Sequence, residues 1–219
     1  MSVNRYTSDG SPVALYLRLS GEREAALIDA QLRSGSSILE LRCGAGRLTH
    51  EFVRSGHRVT AVDNSPDMLT HVRGAETVCA DIADLDLGRR FDAVVLWSHL
   101  INHVDAAVRN ALVASCRRHV SDDGVVLIWR HEPGWVRTVE TLRTEDDSGI
   151  VTELGSISHD GDRLSATVAW EFDGGRYGQA FEAVDVDDAA IEELAGRHGL
   201  VVAGVFDPAG MLVRLEVAG

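Results

Sequence analysis

From Ile38 to Arg130, short apolar runs alternate with helical stretches, and that rhythm leaves very few architectures open. "ILEL" (38–41), "HRVTAVD" (57–63), "ETVCAD" (76–81), "FDAVVLW" (91–97) and "GVVLIWR" (124–130) read as strands. The last two are almost continuously apolar, as strands covered on both faces must be. Between them lie helical stretches with apolar residues three and four apart, the clearest being "DAAVRNALVASCRRHV" (105–120). "SPDMLTHVRG" (65–74) opens with Ser65 as N-cap and Pro66 at the first helical position, and ends on Gly74. Strand–helix alternation of this kind predicts a doubly wound α/β fold with a mostly parallel sheet and helices on both faces.

The flanks differ. Residues 12–33 read as helix interrupted at Gly21. After Gly134, "RLSATVAWEF" and "YGQAFEAVDV" alternate apolar and polar around the turn signal "DGG", which predicts an antiparallel hairpin, with "VTELGSIS" as a third strand. A helix over "DDAAIEELAGRHG" and a closing hairpin, "LVVAGVFD" with "MLVRLEV", complete the chain. The expected division is an N-terminal helical lid over 1–35 and a main domain over 36–219, with 150–186 inserted as an antiparallel cover.

Partners are constrained by charge. The chain has 219 residues and a formal net charge of −13, the wrong sign for a surface that tracks phosphates, so neither nucleic acid nor an anionic membrane is expected. No apolar run approaches the roughly 20 residues of a membrane span. The opening "MSVNRYTSDGSP" lacks a signal-peptide core. Three cysteines without a C-x-x-C pair argue against a disulfide framework or zinc site and fit a reducing cytoplasm.

In an open parallel sheet, ligands bind outside the carboxyl ends of the strands, where strand order reverses. Four such ends are legible: the turn from Glu40 to Gly46, Asp63, Asp81 with Ile82, and "WSHLINH" (97–103). Gly44 and Gly46 permit close backbone approach to a ligand. Asp63 can accept from a ribose diol. Asp81 can hold an exocyclic amino group, with Ile82 against an adenine face. A dinucleotide fingerprint would need a third glycine at Thr49, so a nicotinamide cofactor is disfavoured.

In this ordered set the chain resembles the class I S-adenosylmethionine-dependent methyltransferases, over roughly residues 36–132 and the closing hairpin. The family's acid-x-Gly-x-Gly-x-Gly turn aligns with Glu40-Leu41-Arg42-Cys43-Gly44-Ala45-Gly46, and "AVDNSPDML" is a further match. The resemblance implies a seven-stranded sheet whose last strand is antiparallel, with S-adenosylmethionine as cofactor and S-adenosylhomocysteine as product. Its implied contacts are Glu40, Arg42, Gly44, Gly46, Asp63, Asn64, Met68, Asp81, Ile82 and Trp97, with Tyr16 reaching in from the lid. The departure is Arg42, where the family has glycine. Either its backbone is ordinary and its side chain leaves the pocket to pair with an acid, or it crowds the methionine end and weakens binding. The first is the expectation, because both remaining glycines and all three acids persist.

The acceptor side is less legible. The amine-methylating tetrapeptide Asn/Asp-Pro-Pro-Tyr/Phe is absent after the fourth strand. His99 and His103, four apart, would share a helix face. They could hold a metal, but no third ligand is apparent, so none is expected. His99 is the general-base candidate, with His131 as a second catalytic candidate. His103, Arg130 and Trp135 are candidate acceptor contacts. The expected function is methyl transfer to an oxygen, nitrogen or carbon of a small metabolite, secondary metabolism included. The alternatives are a related fold that binds the cofactor without transferring methyl, and a non-catalytic binding module. Members of this family also pair through inserts like 150–186, which leaves a homodimer open.

Overall fold

The computed structural model describes residues 6–7 and 10–219. Part of the expected 1–35 lid therefore lies outside the described residues. α1 (Val13–Tyr16) and α2 (Glu22–Asp29) precede β1 (Ser37–Leu41), α3 (Thr49–Arg54), β2 (Arg58–Asp63), α4 (Pro66–Leu69), β3 (Glu76–Cys79), β4 (Phe91–Leu96), α5 (Ala106–His119) and β5 (Val120–Trp129). Then come α6 (Trp135–Thr138), β6 (Leu142–Glu145), β7 (Val151–Asp160), β8 (Arg163–Phe172) and β9 (Gly175–Val184). α7 (Asp188–Gly196), β10 (Leu200–Val205) and β11 (Leu212–Val217) close the fold.

The main sheet has seven strands in the order β10-β11-β5-β4-β1-β2-β3. β1, β2, β3, β4 and β5 are mutually parallel, and β11 runs antiparallel to both β5 and β10. β1 lies between β2 and β4, so strand order reverses there and a crevice opens at its carboxyl end. Successive strand residues bury to opposite faces. Leu39, Leu41, Val94, Leu96, Val126 and Ile128 pack with Leu112, Val113 and Cys116 of α5 and Ile191 of α7. Ile38, Ala93, Val95 and Leu127 pack on the other face with Ile28 of α2 and Phe52 of α3.

The second sheet is antiparallel, ordered β6-β7-β8-β9. β8 and β9 join through Asp173 and Gly174, both at positive φ (49° and 72°), the conformation that matches strand twist in a two-residue hairpin. Val136 and Val139, at α6 and just beyond it, pack on its inner face with Leu154, Leu164, Ala166 and Ala183. Leu15 of α1 packs with Ile150 and Phe172, so the N-terminal segment leans on this sheet.

Three local readings change. Helix α4 stops at Leu69 instead of Gly74, because His71 and Val72 donate back to Met68 and Leu69, an i→i−3 pattern that tightens the turn out of α geometry. His99 and His103 do not share a helix face: His99 has φ 57°, a three-residue 3₁₀ turn over Leu100–Asn102 follows, and His103 lies beyond it. The short elements β6 and α6 had no periodic signal to announce them. No helix among the described residues is long and apolar enough to cross a membrane.

Candidate active site

The crevice is built from the turn after β1. Gly44 (φ 57°) and Gly46 (φ 89°) adopt conformations that side chains resist, and a Cβ on Gly46 would stand 3.1 Å from the His50 ring. The turn is tied down by Asp63 at the end of β2. Its Oδ2 accepts from the Gly44 N–H at 2.9 Å and its Oδ1 from the Ser65 N–H at 2.9 Å. Ser65 in turn caps α4, its hydroxyl accepting from the Met68 N–H at 3.3 Å. A carboxylate offers about four acceptor positions. The two backbone bonds leave Asp63, only 2% exposed, with capacity toward the crevice it lines.

Arg42 does not behave as expected. Its backbone takes the left-handed conformation, φ 64°, which suits the glycine usual at this position. Its side chain does not leave. It lines the same crevice as Gly44 and Asp63, with Nε 3.8 Å from Asp63 Oδ2. Glu40 also differs from expectation, lining neither cavity described below. It is 1% exposed beneath the turn and accepts from the Thr49 hydroxyl at 2.5 Å. Burial pushes its pKa up to about 7, opposed by that hydrogen bond and by Arg47.

Two cavities adjoin at this edge. The smaller, about 190 Å³, is lined by Arg42, Gly44, Asp63, Asn64, Met68 and Tyr16 among others. The larger, about 610 Å³, lies between the ends of β4 and β5 and the inner face of the second sheet. Tyr16, Ser98, Leu100 and Gln179 line both. Asp63, Arg42, Gly44 and the apolar Met68 around the smaller space suit a nucleoside with a charged tail.

Rings form one wall of the larger cavity. Trp97 stacks on Trp129 with centroids 4.4 Å apart, His99 on His131 at 4.0 Å, and His131 on Trp135 at 4.4 Å. The Trp129 indole donates to His99 Nε2 at 3.1 Å. An indole N–H can only donate, so His99 Nε2 is the acceptor nitrogen and its proton sits on Nδ1. This overturns His99 as a general base, because its basic lone pair is spent on Trp129. Burial, followed by the neighbouring His131, also holds its pKa well below the usual range. Burial likewise lowers His131 to about 4, which makes it a weak base. Both rings are neutral at ordinary pH.

The other candidates disperse. Trp97 lies in the larger cavity instead of beside the nucleoside space, and His103 and Trp135 line that cavity too. Arg130 is not an acceptor contact: it is fully buried and donates to the carbonyls of Gly210 and Val186 while pairing with Asp188, which clamps α7 to the sheet. Asp81 is exposed and accepts from the Ala83 N–H at 3.0 Å, while Ile82 belongs to the main core; neither lines either of these two cavities. Among the described residues no group of three or more histidine, cysteine or acidic side chains could hold a metal.

Gln179 was missed. Its Oε1 is buried without a hydrogen-bond partner, at the junction of the two cavities. The signal was available: Gln179 is the polar member of an inward-facing series with Tyr177 and Phe181 on the alternating strand β9.

Residues 38–124 match a family described as a methyltransferase domain. A dTDP-3-amino-3,4,6-trideoxy-alpha-D-glucopyranose N,N-dimethyltransferase of Streptomyces venezuelae is 32% identical over 116 residues, 51% of this chain and 48% of that protein. The chain spans about half the length of the curated relatives it matches. The sugar N-methyltransferase KedS8 from Streptoalloteichus sp. superposes with a TM-score of 0.75 at 20% identity, covering 100% of this chain and 99% of that one. An S-adenosylmethionine-dependent methyltransferase from Clostridium acetobutylicum gives a TM-score of 0.74 at 18% identity, covering 93% and 92%. At these identities the superpositions speak to the fold. The matched methyltransferase domain runs from β1 into β5 of a Rossmann-like, mostly parallel sheet.

Proposed function

We propose that the protein transfers a methyl group from S-adenosylmethionine to the amino nitrogen of a small metabolite, with amino sugars as the substrate class. One observation carries this reading: the Gly44–Asp63 crevice opens, across Tyr16 and Gln179, into a ring-walled chamber of about 610 Å³. The chamber has the size of a small-molecule site. The nitrogen of the acceptor follows from what the relatives' names say of those proteins.

When bound, the cofactor would supply a sulfonium-activated methyl group for an in-line nucleophile. The chain positions the partners. Asp63 accepts from the ribose hydroxyls, Gly44 lets the backbone come close, and Tyr16 closes over the turn. The ring wall excludes water, and its neutral imidazoles put no positive charge beside an incoming amine. Gln179 Oε1 accepts from the acceptor's N–H and so gains the partner it lacks. His99 and His131 are too weakly basic to take the amine's proton, which passes to solvent, and turnover follows the amine's own ionisation. The cytoplasm, where the cofactor is abundant, is the compartment this reading implies.

The test has two parts. Calorimetric titration with S-adenosylhomocysteine should give saturable binding, and Asp63→Ala should weaken it by about 1.5–3 kcal/mol, the range for a hydrogen bond to a charged group. Mass spectrometry with a panel of free and nucleotide-linked amino sugars should find a methylated product. Binding without methylation of any amine in the panel would overturn the amino-sugar assignment, and no binding would overturn the cofactor assignment.

A further inference from the structure

We infer that Arg42 is the anchor for the anionic end of the cofactor, the carboxylate of its amino-acid tail. The inference rests on the cofactor reading above and adds a residue that fills the place of a family glycine. Four observations lead to it. Arg42 holds a left-handed backbone conformation at φ 64°, which arginine adopts at a cost, and such outliers gather where a ligand is handled. It lines the smaller cavity, and its side chain is one-quarter exposed. It is the one cationic residue lining that cavity among the described residues. Its Nε stands 3.8 Å from Asp63 Oδ2, in ion-pair range but too long for a hydrogen bond, so Asp63 keeps acceptor capacity beside it.

The neighbouring arginines lie outside this cavity. Arg47 faces the larger cavity and is bonded to Glu24 and the Ser20 carbonyl, and Arg18 pairs with Asp173 on the hairpin turn. A cofactor with a carboxylate tail therefore meets Arg42 in the crevice. On entry, the ribose takes up the acceptor positions of Asp63, and the planar guanidinium turns from Asp63 to the carboxylate, which it can grip with two parallel hydrogen bonds. The ion pair with Asp63 is exchanged for one with the ligand.

Two probes isolate the tail. S-adenosylhomocysteine carries it; 5′-methylthioadenosine has the same adenosine and a thioether but no amino acid. Calorimetric titration of the parent, Arg42→Ala and Arg42→Lys is the experiment, with melting temperatures confirming that each variant folds. Arg42→Ala should weaken S-adenosylhomocysteine at least tenfold and change 5′-methylthioadenosine by less than threefold, with Arg42→Lys in between for the first probe. Raised salt should weaken the first probe on the parent more than on Arg42→Ala. If Arg42→Ala binds both probes more tightly, Arg42 is a plug and the anchor assignment falls. Equal affinities in parent and variant also overturn it. Absence of binding of either probe to all three proteins overturns the cofactor reading, and the anchor with it.

Discussion

Glu40 sits wholly inside the protein with the Thr49 hydroxyl as its hydrogen-bond partner, and its pKa is raised to about 7. The unfolded chain gives up that proton near the ordinary carboxylate range. The folded state therefore binds more protons between about 4.5 and 7, and stability from this group is lost as pH rises through that window. Glu40→Gln keeps an acceptor for Thr49 and removes the charge. Its stability relative to the parent, followed by thermal melting, should rise from pH 5 to pH 8 by on the order of 2–3 kcal/mol as the parent carboxylate ionises. His131, lowered to about 4, pushes the other way but is shared by both proteins and cancels in the comparison. A constant difference across pH would show that Glu40 is not buried as an acid. At this scale the sequence was legible where chemistry is local. Asp63 at a strand end, with Gly44 and Gly46 in the turn, could be placed from spacing alone. Arg42 could be singled out but not aimed, because its backbone conformation is set by the turn and by Asp63, nineteen residues away from Gly44. His99 looked like a base because nothing in its neighbourhood of the chain announces Trp129, which consumes its lone pair from the next strand.

At the level of elements, periodicity carried the reading wherever a segment buries one face or both. β4, β5 and α5 are apolar in the rhythm their burial demands, and β8 and β9 alternate as a half-covered sheet must. β6 is four exposed residues held by pairing to β7, so its existence is a tertiary fact. The second sheet gains its footing from its inner face, where Leu164 is fully buried against α6 and β7. Leu164→Ala should destabilise the protein by about 2–5 kcal/mol, read as a lowered denaturant midpoint. Because Leu164 does not line the Gly44–Asp63 crevice, S-adenosylhomocysteine affinity should stay within about threefold wherever the variant remains folded. A parallel loss of affinity would mean that the two sheets act as one unit.

For the whole molecule, binding and folding are linked. A ligand at a hundred times its dissociation constant, bound only by the folded chain, adds about 2.7 kcal/mol. For a chain of this size that should raise the melting temperature by roughly 5–10 °C with S-adenosylhomocysteine in a scanning calorimeter. No shift at saturating ligand would sink the cofactor reading. The two cavities share walls contributed by α1, the β4 end and β9, so the site exists only when both sheets and the N-terminal segment are assembled. That assembly explains why the cofactor side was visible in the sequence and the acceptor side was not: one is a single turn and its neighbouring strand, the other a junction of distant segments. The same partition has an evolutionary consequence. Gly44 and Asp63 lie in one contiguous stretch of chain, while the wall facing the acceptor draws on β7, β8 and β9 in another. Selection can rewrite the second stretch, and with it the clientele, while the first goes on recognising the same donor.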